Sequence, residues 1–239
     1  EESELELKFV YALKKYAEKN RHKNISFKEI KENGIQTYRL KLPIKDGSVT
    51  YAIRGQISLG EKDGISVSTR TDFLIKCIEI DRNGEIVTDT DELMTFKEVA
   101  IYLDGYTYHA SEKHMRFYED IIIRDAIAET QNIVTWSLSW NDVLLFESED
   151  DSKNSDFLFP SESRYRKSIL ALSRFPFTRL LNKSLLVTKN SIERLLWYLA
   201  NSNNSNLNSE IGHLFACLQD EFGSLVVNES GALKLLNIE

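Results

Sequence analysis

Apolar residues recur at helical spacing over the first twenty positions and then give way to alternation. In SELELKFVYALKKYAEKN, Leu5, Phe9, Ala12, Leu13 and Tyr16 fall on one face with Lys and Glu opposite, which predicts an amphipathic helix. Ser3 followed by Glu6 has capping-box spacing, so the helix is predicted to start at Ser3. After a polar stretch, TYRLKLPI and VTYAIRGQISL alternate and carry β-branched and aromatic residues. Lys45-Asp46-Gly47-Ser48 between them predicts a hairpin. EKDG at Glu61 to Gly64 is the next turn, ISVSTRTDFLIKCIEI reads as a long strand, and Asp81-Arg82-Asn83-Gly84 breaks it.

A charged loop with Asp89, Asp91 and Glu92 leads to the strand EVAIYLDG. SEKHMRFYEDIIIRDAIAETQN predicts a helix capped by Ser111, with Phe117, Ile121, Ile122, Ala126 and Ile127 as its packed side. IVTWSLSW is a further strand, ended by Asn141-Asp142. Helix, three or more strands, helix, strand is the pattern of an α/β domain, a mixed sheet flanked by helices. Glu147 to Asp156 is an acidic, Ser/Asn-rich linker. Beyond it ESRYRKSILALSRF, NSIERLLWYLAN and SEIGHLFACLQDEFG read as helices. The organisation expected is therefore a domain over 1–146, a linker over 147–156 and a C-terminal helical extension over 157–239.

Composition narrows the classes. With 42% hydrophobic and 28% charged residues the chain is an ordinary globular one. Its apolar runs are shorter than a membrane span, so no membrane partner is expected. Cys77 and Cys217 are too few and too distant for a disulfide framework or a zinc cluster, which makes a reducing cytoplasm the expected compartment. The opening Glu1-Glu2-Ser3, without methionine, is what a piece of a longer polypeptide would show. A net charge of −7 argues against a protein that coats DNA through clustered Lys and Arg. It leaves room for a nuclease, whose metal site is itself acidic.

Two strands carry acids of interest, Asp72 in TRTDFLI and Asp104 closing AIYLDG. If those strands are neighbours, their carboxylates can meet and hold Mg²⁺ or Mn²⁺, since such ions take oxygen ligands and keep several waters. His109, five residues after Asp104, is placed to take a proton from a water at that ion. Bland readings stand beside these. Asp72 can cap a strand end, Asp104-Gly105 is a turn signal, and Glu6 can serve the helix cap. Asp120 and Arg124, one helical turn apart, can pair on a solvated face. Trp136, Trp140, Tyr106 and Tyr108 offer stacking surfaces for nucleic acid, but alternation in IVTWSLSW assigns its two tryptophans to the sheet core. Arg164, Arg166 and Lys167 form the compact basic cluster of an acidic chain, a solvated helix face or a phosphate contact.

The run TRTDFLI…VAIYLDGYTYH…FYEDIIIRDAI…NIVTWSLSW, together with SELELKF, resembles the very-short-patch-repair-like branch of the PD-(D/E)XK endonuclease superfamily over Ser3 to Asp142. The resemblance implies a restriction-endonuclease-like fold and metal-dependent hydrolysis of DNA. It implies Asp72 and the Leu103 carbonyl as metal ligands, His109 as general base, Glu6 reaching the metal's water shell, and Asp104 where relatives place an acid or a histidine. Asp120 and Arg124 match a polar pair that orients the site or touches phosphate. The chain departs from the pattern at Tyr102, where many relatives have glutamate, and in lacking the superfamily's lysine. LDGYTYH and WSLSW also resemble domains appended to large DEAD/DEAH-type helicases of bacterial antiphage defence, which implies a helicase or ATPase region in the same or a partner chain. The alternative is a catalytically degenerate nuclease-fold module that binds DNA or docks within such a complex.

Overall fold

Helix α1 (Glu4–Lys19) buries Leu5, Phe9, Ala12 and Leu13 of the predicted stripe, leaves Tyr16 half-buried, and adds Val10, Ala17 and the carboxylate of Glu6. The computed structural model to which it belongs describes residues 4–104, 117–130, 132–148, 191–203, 225–227 and 233–235. A seven-stranded sheet follows: β1 (Ser26–Glu32), β2 (Ile35–Ile44), β3 (Gly47–Leu59), β4 (Thr69–Arg82), β5 (Glu85–Val87), β6 (Glu98–Asp104) and β7 (Ile133–Ser139). Its order is β1-β2-β3-β4-β6-β7, with β5 paired to β4. Neighbours are antiparallel except β6 and β7, which run parallel and need a crossover connection. That connection carries α3 (Phe117–Ala128), while a short α2 (Thr90–Leu93) precedes β6. The fold is thus α/β with a mixed, mostly antiparallel sheet flanked by helices.

Several local expectations are corrected. The polar stretch before TYRLKLPI is strand β1, turned into β2 through Asn33 and Gly34, both at positive φ as a two-residue hairpin turn requires. Asn83 and Gly84 repeat that turn between β4 and β5. The charged loop at Asp89 contains α2, because the Asp89 carboxylate accepts from the Asp91 and Glu92 amides. IVTWSLSW ends as a strand at Ser139, and Trp140 opens a helix, α4 (Trp140–Ser148). Ser139 caps it: Asp142 Oδ2 accepts from the Ser139 amide at 2.8 Å, and Ser139 Oγ accepts from the Asp142 amide at 3.3 Å. On α3 the packed residues are Ile123, Ala126 and Ile127, whereas Ile121 and Ile122 are exposed.

The two faces of the sheet receive different layers. Residues paired across strands share a face, so Tyr51, Phe73, Ile75, Ile101 and Trp136 point one way. On that side the Phe9 and Phe73 rings meet at 5.4 Å. Helix α5 (Ser191–Asn201) contributes there too: the Tyr51 hydroxyl donates to the Leu199 carbonyl at 2.5 Å, and Trp136 contacts Tyr198. On the other face α3 closes a cluster of Leu59, Ile65, Ala100, Ala126, Ile127 and Ile133, flanked by Leu74 and Tyr102. By contact density the first compact unit is 1–147 together with Leu195–Asn203. The second comprises 148–194 and 204–239, and in it β8 (Leu225–Val227) pairs antiparallel with β9 (Leu233–Leu235), a strand pair inside the stretch read as helical. Among the described residues no helix is long and apolar enough to cross a membrane.

Candidate functional site

Gln56 interrupts β3 in an unusual way. Its φ is +56°, a left-handed conformation that a non-glycine residue in a strand adopts at a cost. The pairs on either side, Gly55 with Phe73 and Ile57 with Thr71, keep one register, so Gln56 sits in line with Asp72. Before it, Tyr51 and Ile53 face the α1 layer; after it, Ile57 and Leu59 belong to the cluster under α3. The backbone reversal therefore moves the strand's apolar side from one layer to the other. It also lets the Gln56 amide donate to the buried carboxylate of Glu6 on α1. A Cβ at Gly55 would lie 3.6 Å from the Phe73 ring, an ordinary van der Waals contact, so packing does not require glycine there.

Asp72 stands where two strands part. The β4–β6 ladder runs through Ile75–Val99, Leu74–Ala100 and Phe73–Ile101, whereas β6 continues against β7 through Leu103–Leu138 and Asp104–Ser139. At this divergence Asp72 Oδ2 accepts a hydrogen bond from the Leu103 amide at 2.7 Å, replacing the ladder bond that the separating strand no longer supplies. The condition posed by the sequence is met in its backbone part: β4 and β6 are neighbours, and antiparallel pairing sets the start of β4 beside the end of β6, where Asp104 lies. The half-buried Asp72 meets Leu103 through the amide; the resemblance had concerned its carbonyl. Asp142, buried and bound to Ser139 opposite Asp104, is a further carboxylate at this edge with a capping task of its own.

Around Asp72 on the α3 side, Tyr102 gathers the remaining polar groups. Its hydroxyl lies 3.3 Å from Thr69 Oγ1, and the Arg124 guanidinium sits over its ring at 5.7 Å. Burial pushes the Tyr102 hydroxyl pKa up; the Thr69 bond and Arg124 oppose that, and the charges of Asp72 and Asp120 add to it. The phenol thus stays protonated and neutral. Asp72, Asp120 and Arg124 are brought together around it. Glu6 approaches the same strands through Gln56. The Asp104 side chain, His109, Arg164, Arg166 and Lys167 lie outside the described residues, as do Ser3 and Ser111.

Among the described residues no three His, Cys, Asp or Glu side chains converge as metal ligands. Gln56 and Thr69 were not singled out from the sequence; Gly55 inside an otherwise β-forming run is the signal that could have found Gln56, because glycine in a strand interior marks a bulge or close approach. No protein-family model, curated protein or solved structure matches the chain significantly.

Proposed function

We propose that the chain is a metal-dependent DNA endonuclease domain of restriction-endonuclease-like type, working as part of a larger bacterial helicase–nuclease defence protein. The observation that carries this reading is the Asp72 carboxylate lodged at the β4–β6 divergence, beside the strand end that bears Asp104. The donor set fits Mg²⁺ or Mn²⁺ in kind: Asp72, Asp104 and the Leu103 carbonyl are hard oxygen donors, and such ions retain waters where the protein supplies few ligands. When bound, the ion would neutralise the negative charge added in phosphodiester hydrolysis. Glu6 orders water on the α1 side, held in place by the Gln56 amide. His109 accepts the proton of the attacking water. Arg124 and Asp120 orient the groups near Tyr102, and Arg164, Arg166 and Lys167 are the phosphate contacts of the extension.

A second reading, a degenerate nuclease-fold module that binds DNA or docks beside a helicase, is favoured by two observations. The Leu103 amide gives Asp72 a structural occupation, and Tyr102 stands in place of the acid. Cleavage of single- and double-stranded DNA in Mg²⁺ or Mn²⁺ separates the two. Loss of cutting of about 10²-fold or more in Asp72→Ala and in His109→Ala, with folding intact, is expected for the nuclease. Wild type that neither cuts nor binds the ion by calorimetry belongs to the degenerate module.

A further inference from the structure

The apolar cluster under α3 reaches β4 and the far end of β3. Over β1, β2 and the near part of β3 the same face carries charge instead. Lys28 on β1 pairs with Arg39 on β2, Arg39 with Ala52 on β3, and Ala52 with Lys76 on β4. Glu29, the neighbour of Lys28, bonds Lys14 of α1, which fixes this row on the face away from α1. Three cations therefore cross four strands in one line about 14 Å long, with the small Ala52 in the middle. Arg54 adds a fourth in the adjoining row.

Among the described residues nothing requires that line. Like charges placed directly opposite, as Lys28 and Arg39 are, weaken a sheet. The carboxylates that answer them stand at its margins: Glu32 takes Arg39 and Arg54 at the end of β1, and Glu98 takes Lys76 at 2.5 Å. Arg39 Nη1 is buried with no acceptor among the described residues, an arrangement that an incoming anion relieves by drawing the guanidinium outward. Lys28 and Lys76 are exposed. From Lys76 the same face of β4 passes Leu74 and reaches Asp72.

We propose that the row Lys28–Arg39–Lys76 seats the phosphodiester backbone of a nucleic-acid strand and leads it along β4 to Asp72. The seat stands on the charge pattern; its direction toward Asp72 rests on the endonuclease reading above. The test is fluorescence anisotropy of labelled single-stranded and duplex DNA without divalent ions, alongside cleavage with Mg²⁺. Lys28→Gln/Lys76→Gln is expected to bind about tenfold more weakly and to lower the salt slope of log K by about 2, whereas Lys14→Gln on the α1 side changes neither. Asp72→Asn is expected to keep binding and lose cutting. Unchanged affinity and slope in the double variant overturn the seat, even if Asp72→Asn abolishes cutting. Weakened binding in the double variant, with a wild type that never cuts, supports the seat and overturns the nuclease. Displacement of DNA by polyglutamate at equal charge concentration would mark a site for acidic protein and overturn the proposal.

Discussion

The two faces of the sheet use the same strands differently. Toward α1, large side chains fill the space: Phe9, Leu13, Tyr51, Ile53, Phe73, Ile75 and Ile101 are almost wholly buried. Toward α3, apolar packing stops part-way, Ile123 and Leu74 are half-covered, and the remaining strands present Lys28, Arg39, Arg54 and Lys76. The first face carries the larger side chains of the core, and the second combines a smaller apolar cluster with a charged region. Asp72 lies at the border on the charged side, and Gln56 is the hinge by which β3 contributes to both.

Substitutions of graded size probe that division. Phe73→Ala is expected to cost about 3–5 kcal/mol in urea unfolding, and Ile123→Ala on the α3 side about 2 kcal/mol or less; equal losses would break the contrast. Next comes Cys77, buried on the α1 face, whose thiol is pushed up to about 11, chiefly by burial. Because the folded state disfavours the thiolate, its contribution is complete below pH 9 and is lost as pH rises toward 11, by about 2–3 kcal/mol. Unfolding curves across that range should fall more steeply in wild type than in Cys77→Ala. Smallest is Lys28→Gln/Lys76→Gln, expected to leave stability within about 0.5 kcal/mol. A larger loss would mean that the charged row helps to hold the sheet together.

Where one face of an element is buried and the other wet, the sequence made it readable. The stripe of α1 from Leu5 to Ala17 and the alternation of β2 and β3 lead to the observed elements within a few residues. Strand β1 escaped because SFKEIKE is an edge strand whose charged residues dilute the apolar signal, though Asn33-Gly34 marked its turn. The packed side of α3 was misjudged because three consecutive isoleucines satisfy several helical registers. Helix α4 was hidden because Asn141-Asp142 reads as a strand terminator, whereas the Asp142 carboxylate closes a helix cap on Ser139. Of the candidate site, Asp72 and its neighbour strand were legible from acids set in β-forming runs. The Gln56–Glu6 bond was not, because it depends on one left-handed residue and on a helix fifty positions earlier in the chain.

The return of the chain through Leu195–Asn203 also sets a schedule for synthesis. The Leu199 carbonyl that receives the Tyr51 hydroxyl, and the Tyr198 ring beside Trp136, leave the ribosome well after β7. At about 5–20 residues per second, the α1-side core waits several seconds for its last piece. During that interval the sheet is nearly whole, yet Tyr51 and Trp136 lack their contacts with Leu199 and Tyr198. A ribosome-bound chain arrested before residue 195 should therefore be more easily digested by proteases than one arrested well past 203.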